Sequence, residues 1–423
     1  ATSGATAFDA STAELKYWNG TEWKVAAVVA SSGSVSTHRI VIGTRRYSTS
    51  FYLYDSDGTN EQIITPTGTQ SGNYAGNTDD IVAIGSGKIA VGGQYATNVD
   101  INAIAGKVWV YDADGTNEII ITPSDAAEMD LFGMSLAIGN DKIVAGSRSG
   151  GGSIYIYDLD GTNEIKVSRP DENAGQFADP HMIAIAEGYD KIFVGAYAAQ
   201  TSNQTVYGAV YVYDMAGNYQ NMITPAVREH GARFGWKINS ANGKVVISSY
   251  LEHAGGLDNA GAIYIFDVDG TNEVKITASD KAAGDQFGHD VAITSTKVLA
   301  GANGANSYRG AAYIYDLDGS NEIKITASDG AVGDNFGRDV ALSDDKIMIS
   351  AIANDQAGSN AGAVYIYDLD GTNEVKITAS NAADNHMFGA AIKFGETGLS
   401  ASSGSGSVVF SPAYQSEDTY SAG

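Results

Sequence analysis

Along the chain, short apolar runs rich in Val, Ile, Tyr and Phe alternate with clusters of Gly, Asp, Asn and Ser. Apolar positions almost never recur at helical spacing, so the pattern predicts strands and tight turns. Residues 336–379 show it clearly. Phe336–Ser343 reads as a first strand (A), Lys346–Ala351 as a second (B), Ala361–Tyr367 as a third (C) and Glu374–Ala379 as a fourth (D). Ser343–Asp345 makes a tight A–B turn and Asp368–Asn373 the C–D turn, both built of residues suited to reversing the chain.

This unit recurs. The phrase Tyr-Asp-x-Asp-Gly-Thr-Asn-Glu stands at Tyr54–Glu61, Tyr111–Glu118 and Tyr157–Glu164. It is eroded at Tyr213–Gln220 and returns at Phe266–Glu273, Tyr315–Glu322 and Tyr367–Glu374. An eighth aromatic anchor, Phe410, carries the strand without the turn, and the anchors are spaced by 43 to 57 residues. Four antiparallel strands repeated at ~40–50 residues describe the blades of an all-β propeller. Eight anchors predict eight blades, with seven the alternative if the weak first unit is not a true blade. The polar tail from Ser411 offers no fourth strand for the last blade. The segment before the repeats, residues 1–27, contains Glu14–Val25, whose Asn19-Gly20 predicts a two-residue hairpin turn flanked by Tyr17, Trp18 and Trp23. One arm of this hairpin is expected to close the ring by completing the last blade, and residues 28–423 to form the propeller.

The unit openings Asp130–Gly133, Asp285–Gly288 and Asp334–Gly337 all end in Phe-Gly. They are followed by Lys142–Gly146 or Lys297–Gly301 and then by Gly-Ala-Val/Ile-Tyr. This series resembles the FG-GAP repeat, the blade of integrin-type propellers and of many secreted bacterial and phage proteins. The resemblance covers roughly residues 28–411, with Phe177-Ala178 and Tyr74-Ala75 replacing Phe-Gly and the dipeptide missing from the first unit. Integrin-type blades hold calcium in acidic A–B loops. Here those loops read Gly139–Asp141, Thr294–Thr296 and Ser343–Asp345, too short and too poor in carboxylates for that site to carry over. The segment Asp9–Trp23 is similar to pieces of bacteriophage tail-fibre and other virion proteins, and the repeated turn resembles those of FG-GAP proteins of marine phages.

Composition narrows the function. The 25 basic and 50 acidic residues give a net charge of −25, which disfavours phosphate backbones and anionic membranes as partners. There is no cysteine, hence no disulfide or thiolate site, and no apolar run long enough for a membrane helix. No signal-peptide pattern opens the chain, which leaves open a leader removed before Ala1. The six histidines (His38, His181, His230, His253, His289 and His386) occupy unrelated repeat positions, and none has metal-ligand spacing. Ser405 lies in a Gly/Ser-rich joint rather than a nucleophile elbow, and no sialidase-type box is present. The sequence therefore points away from catalysis, a polysaccharide-cleaving enzyme being the least favoured reading.

Two candidate sites remain. Asp316, Asp318, Asn321 and Glu322 resemble part of an oxygen-ligand set for Ca2+, although a structural hairpin loop accounts for the same residues and for their repetition. The B–C connections vary in length while the A–B and C–D turns stay short and uniform, the pattern of a scaffold presenting a binding face. Tyr95, Tyr197, Tyr250, His253, Tyr308 and Arg309 fall in those loops, where aromatic faces among polar donors suit a glycan or protein surface. The expectation is a non-enzymatic virion-surface or extracellular protein, such as a phage fibre or appendage component that contacts a host-surface glycan or protein and other virion subunits. The alternative is a filament or coat subunit assembled by strand donation, a homo-oligomer.

Overall fold

A computed structural model describes residues 6–9, 14–18, 23–28, 39–43, 50–55, 57–68, 81–98, 103–148, 152–168, 182–199 and 206–394. Within these, seven four-stranded antiparallel sheets follow one another. We number the blades I to VII by their third strands: Phe51–Asp55, Lys107–Asp112, Ser153–Asp158, Ala209–Tyr213, Ala262–Asp267, Ala311–Asp316 and Ala363–Asp368. In blade VII the observed strands are Phe336–Leu342, Lys346–Ala351, Ala363–Asp368 and Val375–Ile377, close to the boundaries read from the sequence.

Each strand A touches the strands A of its two neighbours. Ala391–Phe394 touches both Phe336–Leu342 and Ile81–Gly85, so the ring closes on itself. The blade count is therefore seven, the alternative reading, rather than eight. Blade I takes its strand A, Ala391–Phe394, from the end of the chain. Its other three strands, Arg39–Gly43, Phe51–Asp55 and Gln62–Ile64, come from the beginning, in the register Ala391↔Gly43 and Phe394↔Ile40. The first unit lacks Phe-Gly because its strand A, headed by Phe388-Gly389, lies more than 300 residues downstream. Residue Phe410, the eighth anchor, lies outside the described residues.

Closure by the N-terminal hairpin is corrected too. Glu14–Trp18 and Trp23–Val28 do pair, and with Thr6–Asp9 they form a three-stranded sheet of their own. The pairing Trp18↔Trp23 leaves four linking residues rather than two. Asn19 and Gly20 fall among them, outside the described residues.

The repeated aromatic residues hold the blades together. Phe132, Phe234, Phe287 and Phe336 are all completely buried, and each meets two C-strand aromatics of its own blade edge-on. The same phenylalanines bridge in parallel to Gly106, Gly208, Gly261 and Gly310, which precede strand C of the previous blade. The Phe-Gly and Gly-Ala dipeptides are thus two halves of one inter-blade contact. Among the described residues no helix is long and apolar enough to cross a membrane.

Candidate functional site

The repeated acidic turn is satisfied from within and from the neighbouring blade. In blade VI, Asp316 accepts hydrogen bonds from Lys297 Nζ (2.6 Å) and Asn321 Nδ2 (2.6 Å). Asp318 accepts from the Ser320 amide and hydroxyl at 2.9 and 2.6 Å. Gly319 and Asn321 take positive φ, 83° and 54°, the conformation these two residue types reach most readily. Glu322 accepts from Tyr315 Oη (2.9 Å) and from the amide and hydroxyl of Ser279, at the end of blade V. Glu164 and Glu374 repeat this staple through Ser124 and Ser328. Hydrogen bonds hold Asp316 and Asp318 below the usual carboxylate range, the first through Lys297 and Asn321 and the second through Ser320. Among the described residues no group of three or more His, Asp or Glu side chains is placed to hold a metal ion. Asp316, Asp318, Asn321 and Glu322 act here as turn and staple residues.

A second repeated arrangement anchors strand D. Tyr313 Oη donates to Asp280 Oδ1 (2.8 Å), Lys324 Nζ donates to Asp280 Oδ2 (2.6 Å), and the ammonium lies 5.3 Å from the Tyr313 ring centre. The trios Tyr155–Asp125–Lys166 and Tyr365–Asp329–Lys376 match it. Blade V substitutes Glu252, which accepts from Tyr264 and Lys275. Burial, followed by the hydrogen bond to the carboxylate, pushes the Tyr313 phenol far above its ordinary range.

Beside this trio in blade VI lies a polar pocket of about 270 Å3. Asp280, Asp285, Asn306, Ser307 and Lys324 line it, with Gly304 at its base. One wall is the connection entering blade VI, where Asp285 Oδ2 accepts the Ala282 amide at 2.7 Å and burial raises the Asp285 carboxyl. The other wall is the B–C loop. Asn306, Ser307 and Tyr308 are consecutive left-handed residues with φ of 51°, 61° and 61°, a strained run of the kind found at binding sites. A Cβ on Gly304 would lie 2.0 Å from the Gly284 carbonyl oxygen, so only glycine lets the two walls meet. Tyr308, half exposed, and Arg309 continue the loop into solvent.

The other predicted loop residues separate into groups. Tyr250 is buried: its ring lies 4.7 Å from Trp236 and 5.4 Å from His289, and its hydroxyl accepts from Arg233 at 2.9 Å. Tyr197, from blade IV, meets the same Trp236 edge-on at 5.2 Å. The Arg233 guanidinium stands 5.4 to 5.8 Å from the Tyr197, Trp236 and Tyr250 rings, so this aromatic box already holds a cation. Sequence reading missed Arg233 and Trp236 and gave His289 no site role, although the positions directly after Phe-Gly (Trp236, His289, Arg338) are visible in aligned repeats. His253 is exposed, 3.6 Å from Asp258 and 4.0 Å from Glu229. Tyr95 follows strand B of blade II and is half-buried.

Residues 116–157, 271–315 and 320–367 match the family model of the FG-GAP repeat. Each match begins in one blade's C–D turn and ends at the C-strand tyrosine of the next, so it spans strands D, A, B and C in that order. No curated protein matches the chain.

Proposed function

We propose that this seven-bladed propeller of FG-GAP repeats is a non-catalytic, adhesion-type protein that binds a host-surface glycan or protein through the B–C loops. Its setting in this reading is the virion surface of a phage, as a fibre or appendage component. The observation that carries the binding role is the blade VI pocket. The repeated turns are consumed by internal hydrogen bonds, whereas this loop departs from the repeat, holds three left-handed residues and leaves Tyr308 and Arg309 exposed. At about 270 Å3 the pocket falls below the ~300–1,000 Å3 of drug-sized sites, a size suited to one sugar ring or a single side chain. Amide, hydroxyl, ammonium and carboxyl groups offer a polyol both donors and acceptors, and the Tyr308 ring offers a face for stacking. Weak single contacts would be multiplied by many copies on one particle.

Filament growth by strand donation has less support. Blade I receives its strand A from the same chain, and every blade described has four strands.

The test is binding of fluorescently labelled protein to a panel of intact marine bacteria. Saturable binding to some strains, lowered at least tenfold by Tyr308→Ala with Arg309→Ala at unchanged melting temperature, is expected. Binding that the double variant leaves intact would remove the blade VI loop from the interface. Absence of binding to every strain by folded protein would defeat the host-recognition reading.

A further inference from the structure

Four ionisable groups converge at the inner ends of adjacent blades, where a propeller normally has little reason to bury charge. Lys237 precedes strand A of blade V, Asp290 precedes strand A of blade VI, Asp339 lies on strand A of blade VII and Lys393 on strand A of blade I. Their relative exposures are 1, 2, 2 and 1%. Lys237 Nζ lies 3.7 Å from Asp290 Oδ1, too far for a hydrogen bond, and it has no hydrogen-bond partner among the described residues. A buried ion pair is tolerated when its geometry is good and its remaining protons are satisfied, and this one meets neither condition.

Burial pushes the Lys237 amine below its ordinary range, toward the neutral nucleophilic form, against the opposing pull of Asp290 and Asp339. Burial and the adjacent charge of Asp290 push the Asp339 carboxyl well above its ordinary range, toward the protonated form, and its Oδ1 has no hydrogen-bond partner among the described residues. Burial alone would raise Asp290 as well, but the charge of Lys237 keeps it low. Asp290 Oδ2 accepts the Val340 amide at 2.8 Å, and Asp339 Oδ2 is fixed by the Ile392 amide at 3.0 Å.

We propose that Lys237 and Asp290 condense into an intramolecular isopeptide bond between blades V and VI, with Asp339 as the catalytic proton carrier. The Lys237 ammonium passes one proton to Asp290, leaving a neutral amine beside a neutral acid. The Nζ lone pair attacks Cγ of Asp290 and the Nζ–Cγ bond forms. The oxyanion that develops on Oδ2 is held by the Val340 N–H. Asp339 gives its proton to Oδ1 and takes one from Nζ, so the Cγ–Oδ1 bond breaks and Oδ1 departs as water. Ammonium plus carboxylate have become amide plus water, and Asp339 ends protonated as it began. The step occurs once per chain and needs no oxidant or cofactor. Fixed proximity in a dry site replaces the activation that amide formation needs in water. The product removes two buried charges, and Oδ2 remains as the amide oxygen on the same Val340 donor. In a chain without cysteine, it supplies a covalent tie between blades.

The decisive measurement is the intact mass of the purified full-length chain under denaturing conditions, followed by a tryptic map. The expected mass is lower than the sequence mass by one water. Trypsin should fail to cut after Lys237, and residues 234–244 and 282–297 should appear as one branched species. Lys237→Met should show the unmodified mass, and Asp339→Asn should show it too while melting cooperatively. A wild-type map in which trypsin cuts freely after Lys237 would overturn the proposal, as would a water loss confined to an Asp-Gly turn as a succinimide. A branched species that persists in Asp339→Asn would remove Asp339 from the chemistry. If either variant fails to fold, the wild-type mass and map still decide.

Discussion

The inter-blade contact between a glycine before strand C and the next Phe-Gly can be tested by two glycines with nearly the same backbone and different surroundings. Gly261 has φ +88°, and a Cβ there would lie 2.1 Å from the Phe287 carbonyl oxygen and 2.6 Å from its nitrogen. Gly284 has φ +83°, and a Cβ there would meet nothing within 4 Å. Alanine at either position meets the left-handed penalty of ~1–2 kcal/mol. At Gly284 that is the whole effect. At Gly261 the new methyl must push apart two backbones that are bonded to each other, Phe287 N–H to Ala260 O at 2.9 Å. Overpacking adds ~1–3 kcal/mol and the weakened hydrogen bond ~0.5–1.5, for about 3–6 in all.

Unfolding entropy near ~2.1 cal/mol/K per residue over 423 residues amounts to ~0.9 kcal/mol/K if the ring melts as one unit. Gly284→Ala should therefore lower the calorimetric melting temperature by ~1–2 °C and Gly261→Ala by ~3–7 °C. Equal shifts would refute the argument, because they would leave backbone conformation as the only cost and remove close approach from the account of the Phe-Gly contact.

The staple should show as coupling: Glu322→Ala is expected to cost ~1–3 kcal/mol by orphaning Tyr315 Oη and Ser279, and Tyr315→Phe added to it should cost much less than Tyr315→Phe alone in a double-mutant cycle of denaturation midpoints. Acid should destabilise the turns. Asp57, Asp112, Asp158, Asp316 and Asp368 have lowered folded pKa values, so their contribution is full above the unfolded value near ~4 and disappears as pH falls through the folded values, which a steepening drop in melting temperature below pH ~4 would show. Base should act oppositely. Tyr54, Tyr111, Tyr157, Tyr313, Tyr315, Tyr365 and Tyr367 have raised folded pKa values, so stability is lost as pH rises past ~10, and their ultraviolet ionisation should appear only together with unfolding. Because the turn carboxylates already accept their own donors, calcium followed by chelator should leave the melting temperature unchanged; a rise with calcium would reinstate the metal reading.

What could be read from the sequence was what repeats locally. Strand B of blade VII, Lys346–Ala351, agrees to the residue because a short, continuously buried run and a three-residue turn fix it without reference to the rest of the chain. The blade count stayed divided between eight and seven where locality fails. Ala391–Phe394 pairs with residues 40–43, and nothing within either segment announces a partner at the opposite end of the sequence. The missing Phe-Gly of the first unit was the available clue, since a blade without its own strand A must receive one.

The same distinction separates the candidate sites. Taken as a single loop, Asp316–Glu322 looks like a partial ligand set. Its meaning changes once Ser279, 43 residues earlier in another blade, is seen to occupy Glu322. Tyr250 looked exposed because its loop is polar, yet Trp236, at the head of the same blade, covers its ring. The Lys237–Asp290–Asp339 cluster sits at one repeat position, directly after Phe-Gly-x, in three successive blades. Each unit alone shows an unremarkable charged residue at the start of an inner strand. Only the ring brings the three together, and it does so because strands A of neighbouring blades converge on the axis. In a repeat protein, then, substitutions at the innermost position deserve to be read across units rather than along one, since that is the direction in which the fold makes them neighbours.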